Sequence, residues 1–147
     1  MTKQEIAWDL SEIFPNASDS SVEKAFSNAT ENAKMLAETY HGKIKDLLPV
    51  QLEKCIKDFE AFHAKLQDIT LYAGLSFSAN MTLPEVQSLH DKSSKLEAKL
   101  GKILAFFDLE IGNLIKTNPK IVAASALSDY RHWLERMKRH VAHQLSE

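Results

Sequence analysis

Glu60-Ala61-Phe62-His63 places a carboxylate and an imidazole three residues apart, on one face of a helix turn. Di-iron carboxylate bundles hold metal with that spacing. A site of that kind needs a second such pair and two more inward glutamates, so Glu60 and His63, taken as solitary, read as a partly exposed couple. His140 and His143 are also three apart, with His132 and Glu135 on the preceding turn. A structural zinc site needs four ligands, and histidines near a helix C-terminus are favourably placed against the dipole without any metal. Cys55 is the sole cysteine, which rules out an internal disulfide and a cysteine cage. Between Leu52 and Ile56 it reads as a small core thiol, since a reactive one needs a cationic, partly exposed setting.

Other chemistries lack their residues. There is no G-x-S-x-G, no P-loop, no G-x-G-x-x-G, and no histidine opens a His-Glu-x-x-His run. The expectation is that this chain holds no catalytic, metal-binding or cofactor-binding residue. Arg131, Arg136, Lys138 and Arg139 crowd the C-terminal end around Glu135, a pattern that fits the solvated face of an amphipathic helix. The formal net charge is −2, without the basic excess of a nucleic-acid binder.

Long helices must position whatever the chain presents. Its 147 residues suffice for one ordinary domain with a real core, and 44% apolar with 26% charged residues argues against disorder. Residues 1–19 read as an arm that plugs Trp8, Leu10, Ile13 and Phe14 into a groove. Ser20 and Glu23 have capping-box spacing and open a helix over 20–41, with Val22, Phe26, Ala29, Ala33, Leu36 and Tyr40 as its stripe and Gly42 as a left-handed stop. Pro49 opens a second helix over 49–79, striped by Leu52, Ile56, Phe59, Phe62, Leu66, Ile69, Ala73 and Phe77. Gly74 inside it suggests close packing by a neighbour. Thr82 and Glu85 repeat the capping box before a helix over 83–116, on the order of 50 Å long. Val86, Leu89, Ser93, Leu96, Leu100, Ile103, Phe107, Ile111 and Leu114 are its stripe, with Gly101 and Gly112 as notches for another helix. Asn118 suits the cap of a short helix through Ala124, and Ser128 precedes a final helix that completes a helical span over 119–143, with Leu127, Tyr130, Leu134, Met137 and Val141 on one side. The predicted fold is all-α, a bundle of about four mostly antiparallel helices.

The first ten residues lack a signal-peptide core, and the longest apolar run, Ile103 to Phe107, is far below the ~20 residues of a membrane span. The triplets at Asn16, Asn28 and Asn80 are therefore chance matches to a glycosylation signal. The expected setting is cytoplasmic, with neither membrane nor nucleic acid as partner.

Several segments in chain order resemble the N-terminal domain of the oligoendopeptidase F family, thimet-oligopeptidase-like zinc metallopeptidases that cut oligopeptides. They are Trp8-Asp9-Leu10-Ser11-Glu12-Ile13-Phe14-Pro15, Tyr40-His41-Gly42-Lys43, the stretch from Tyr72 to Thr82, Phe106-Phe107-Asp108-Leu109-Glu110, Tyr130 to Arg136, and His143-Gln144-Leu145-Ser146-Glu147. The resemblance implies a helical wall of a deep channel that admits oligopeptides, inactive alone and joined to a downstream catalytic domain. The zinc, held by His-Glu-x-x-His and a further glutamate, is expected in that domain and not in this chain, which the resemblance marks as the leading fragment of the enzyme. The rival expectation is a stand-alone helical interaction module.

Overall fold

The structure, a computed structural model, describes residues 9–141. Every regular element among them is helical: α1 Ser20–Tyr40, α2 Pro49–Ala79, α3 Pro84–Leu104, α4 Phe106–Thr117 and α5 Arg131–His140, with 3-10 turns at Ile44–Asp46, Pro119–Ala123 and Ser125–Tyr130. The chain is an all-α helical bundle. It divides into two compact units, one of residues 9–32 and Phe62–Leu100, the other of Ala33–Ala61 and the described residues from Gly101 onward.

In the first unit the start of α1 packs against the end of α2 and the start of α3, so α1 and α2 run antiparallel. Val22, Tyr72, Ala73 and Leu89 are buried together, and Leu10, Ile13, Phe14, Ala17 and Phe26 cover them. The arm therefore does plug into the core, with Phe14 edge-on to Tyr72 at 5.1 Å between ring centroids; Trp8 lies outside the described residues. Side chains of Asp9, Asn16 and Asp19 each accept the backbone N–H two residues on, at 2.8–3.0 Å. These local turns fold the arm without a ladder.

The helix starts differ from the capping boxes expected. Asp19, not Ser20, caps α1: its Oδ1 takes the Ser21 N–H at 2.8 Å, and bonds from Ser21 hold its carboxyl below the usual range. Thr82 caps nothing. Its N–H and hydroxyl both donate to Asn80 Oδ1, at 3.1 and 2.7 Å, and α3 begins at Pro84. Both expectations rested on residue spacing, which a better acceptor one or two positions earlier overrides.

The second unit holds the larger core, fourteen buried residues that include Ile44, Leu52, Phe59, Ile111, Leu127 and Leu134. The end of α1 packs here against the first half of α2, with Tyr40 tilted on Phe59. The expected helix over 83–116 is broken at Ala105, whose φ −55° and ψ −29° stay near helical values. No proline or adjacent glycine causes the break. Just past it, Phe106 and Phe107 both pack on Phe59, edge-on at 6.0 Å and stacked at 3.7 Å. Past Asn118 the expected short helix through Ala124 is a 3-10 turn, a second 3-10 turn follows, and the final helix starts at Arg131; Asn118 makes no side-chain cap.

Gly74 and Gly101 are not the close-packed notches expected. A Cβ at Gly74 or Gly101 would meet nothing within 4 Å, while Gly112 is buried on α4. Gly74→Ala is therefore expected to stabilise the protein by about 1 kcal/mol, because alanine costs less backbone entropy in a helix. Gly42→Ala, at φ +77°, is expected to destabilise it by about 1–2 kcal/mol. Urea unfolding followed by helical circular dichroism reads both.

Candidate functional site

The polar groups of the second unit converge where α1 ends. Gly42 is the single described residue with positive φ, and it turns the chain out of the helix. His41 N–H bonds back to the Ala37 carbonyl and Lys43 N–H to the Tyr40 carbonyl, both at 2.9 Å, which leaves the Gly42 and Ile44 amides to find partners elsewhere. Here a side chain from α4 supplies the acceptors: Gly42 N–H donates to Glu110 Oε1 at 2.6 Å and Ile44 N–H to Glu110 Oε2 at 3.3 Å. His41 Nε2 stands 3.8 Å from Glu110 Oε1, and its ring stacks on Phe106 at 4.7 Å. Lys43 Nζ donates to the Glu38 carbonyl at 2.8 Å, a cation at the negative end of α1.

One turn away, Asp58 accepts from the Tyr40 hydroxyl and from Lys54 Nζ, the latter at 2.6 Å. Burial is the largest single influence on Asp58 and pushes its carboxyl up, yet the bonds from Lys54 and Tyr40 together win and hold it low. Burial and the Asp58 bond raise the Tyr40 phenol. Cys55 is 0% exposed, and burial with the charges of Asp58 and Glu110 pushes its thiol up to about 12. A sealed thiol held protonated is a poor nucleophile. Glu110 has both oxygens committed to backbone amides. The cluster is chemically a clamp.

The other candidates are dispersed. Glu60 is exposed and accepts the Tyr130 hydroxyl at 2.5 Å, while the His63 ring stands edge-on to Phe62. Glu38-Thr39-Tyr40-His41 repeats the Glu-x-x-His spacing, so the pair at 60–63 is not solitary as the sequence reading took it. Its histidine is turned to Phe106 and Glu110. His132, Glu135 and His140 are exposed, and His143 lies outside the described residues. Among the described residues no three His, Cys, Asp or Glu side chains are grouped to hold a metal ion, and no helix is long and apolar enough to cross a membrane. Arg136, Lys138 and Arg139 are exposed on α5, and Arg131 reaches the Ala123 carbonyl at 3.4 Å.

Sequence reasoning missed the partnerships of Glu110, Asp58 and Tyr130. One signal was present: Glu110 adjoins Ile111 on the apolar stripe, a poor place for an unpaired acid. Compared with family models, curated proteins and solved structures, the chain matches none.

Glu110→Ala is expected to cost about 2–4 kcal/mol in urea unfolding, because it leaves two amides without their charged acceptor. Glu110→Gln, which keeps one oxygen, should cost less. Alkaline pH tests the buried acids. Burial and Glu60 push the Tyr130 phenol up to about 12 from an ordinary 10.0, and Cys55 rises to about 12 from 9.0. Both groups stabilise the fold in their protonated forms. Their contribution is whole below the ordinary values and is lost as pH rises through 12. Stability should fall across pH 9–12, and Tyr130→Phe should make that fall shallower without abolishing it.

Proposed function

We propose that this chain is the helical N-terminal domain of a zinc metalloendopeptidase that hydrolyses oligopeptides, where it forms part of the wall of the substrate channel. One observation carries the reading. Three of the separated segments that resemble the oligoendopeptidase F family meet in a single core. Tyr40-His41-Gly42-Lys43 is bound by Glu110 of Phe106-Phe107-Asp108-Leu109-Glu110, and Trp133 of the Tyr130–Arg136 stretch stacks on Phe107 at 6.2 Å. Motifs matched by chance along a chain have no reason to pack on one another. Their residues act as a clamp and a stack, which suits a wall better than a catalytic floor.

The described residues do not fit a zinc ion, so no step of hydrolysis is assigned to them. Their part is steric: stiff helices exclude folded proteins while leaving room for an extended peptide. The proposed setting is cytoplasmic. A stand-alone interaction module is the second reading, and Leu48 and Val50 favour it, each 67% exposed at the start of α2.

The coding sequence beyond codon 147 decides between them. The expected result is an open frame with a His-Glu-x-x-His within a few hundred codons. Its product should cleave short peptides, lose that activity to a chelator and regain it with zinc. A stop codon directly after Glu147, or a continuing frame whose product cleaves no peptide, would overturn the proposal.

A further inference from the structure

In the first unit, α1 and α2 face each other through matched four-residue faces. Ala25, Asn28, Ala29 and Asn32 project from α1, and Phe62, Lys65, Leu66 and Ile69 from α2, both sets at i, i+3, i+4 and i+7. Such faces normally interlock. Here the two alanines are too short to fill the space opposite Phe62 and Leu66, and a trough of about 140 Å³ remains between the helices. Its floor is apolar: Phe62 and Ile69 are 6% and 4% exposed, and Ala29 is 8%. Its polar lining residues are Asn28 and Asn32 on the α1 side and Lys65 on the α2 side. None of Asn28, Asn32 and Lys65 has a side-chain hydrogen bond or ion pair within the described residues.

We propose that this trough binds a small monocarboxylate, with the apolar part on Phe62, Leu66 and Ile69 and the carboxylate between Lys65 and the Asn28 and Asn32 amides. Volume sets the size of the ligand. A space near 150 Å³ admits one benzene ring, so the apolar part is a single ring or a short branched chain and not a long acyl tail. Charge sets the head group: the one ionic side chain on the rim is a cation, and both carboxamides can donate through N–H. A carboxylate satisfies all three, while an ammonium would meet Lys65 as a like charge. The site is independent of the peptidase reading, since it uses none of the Glu110 clamp.

The test is an NMR titration of the full 147-residue chain, isotope-labelled, with 3-phenylpropionate and separately with the neutral 3-phenylpropanamide. Saturable shifts are expected at the Asn28 and Asn32 side-chain amides and along residues 62–69, with the carboxylate bound about fivefold more tightly than the amide, the most an exposed ion pair gives. Lys65→Gln should erase that preference while leaving a folded spectrum. Ala25→Phe, at a half-exposed position that can lay a ring over the trough, should abolish both titrations. Shifts that do not saturate, or that map elsewhere, overturn the site. Equal binding of acid and amide by the unaltered protein, or a preference that survives Lys65→Gln, overturns the assigned carboxylate.

Discussion

The second unit depends on how α1 is stopped. The turn at the left-handed Gly42 leaves two amides, its own and that of Ile44, without a backbone acceptor, and Ile44 is 0% exposed. Its N–H therefore has little water to turn to. Glu110 supplies both missing acceptors with one carboxylate, a bond type roughly twice as strong as its neutral counterpart. That fixes the path of residues 41–48 and so the angle at which α2 enters. Leu52, Cys55, Ile56 and Phe59 reach the core only if α2 enters in that register. The two bonds span 66 and 68 residues of chain, so the turn is completed only once α4 has docked.

The aromatic stack answers the same constraint from the other side. Phe59 lies under Phe107 and beside Phe106 and Tyr40, and Phe107 continues to Trp133 on α5. Phe106 and Phe107, the first two residues of α4, both reach Phe59, and Glu110 one turn on reaches the Gly42 turn. The stack and the clamp therefore dock the same end of α4.

These relations explain what could be read from the sequence. Burial along α1, α2 and α3 follows the three/four spacing of apolar residues, because a helix can sink only one face; the bounds of α2 and the left-handed Gly42 were legible for the same local reason. Ser20 with Glu23 and Thr82 with Glu85 misled because spacing alone does not show that Asp19 takes the Ser21 amide or that Asn80 engages Thr82 before α3 begins. The break at Ala105 was illegible, and the Glu110 clamp showed only as an acid beside Ile111, because its partners lie 66 and 68 residues away, which local periodicity cannot register. Phe106 and Glu110 flank the stripe without belonging to it. Residues in that position mark where tertiary contact overrides the helical period.

The placement of ionisable groups bears on function. A catalytic group must keep a lone pair or proton free for substrate, and its pKa must lie near working pH. In the second unit the trend is opposite. Cys55 is sealed and protonated, Tyr40 and Tyr130 donate to carboxylates, Asp58 is held by two donors, and Glu110 is spent on the backbone. Each partnership lowers the energy of one arrangement and withdraws the group from chemistry. The rim of the first-unit trough differs, since Asn28, Asn32 and Lys65 take no part in holding the fold. Polar groups that stability does not use are free to meet a ligand, and the trough sets three of them around one apolar floor.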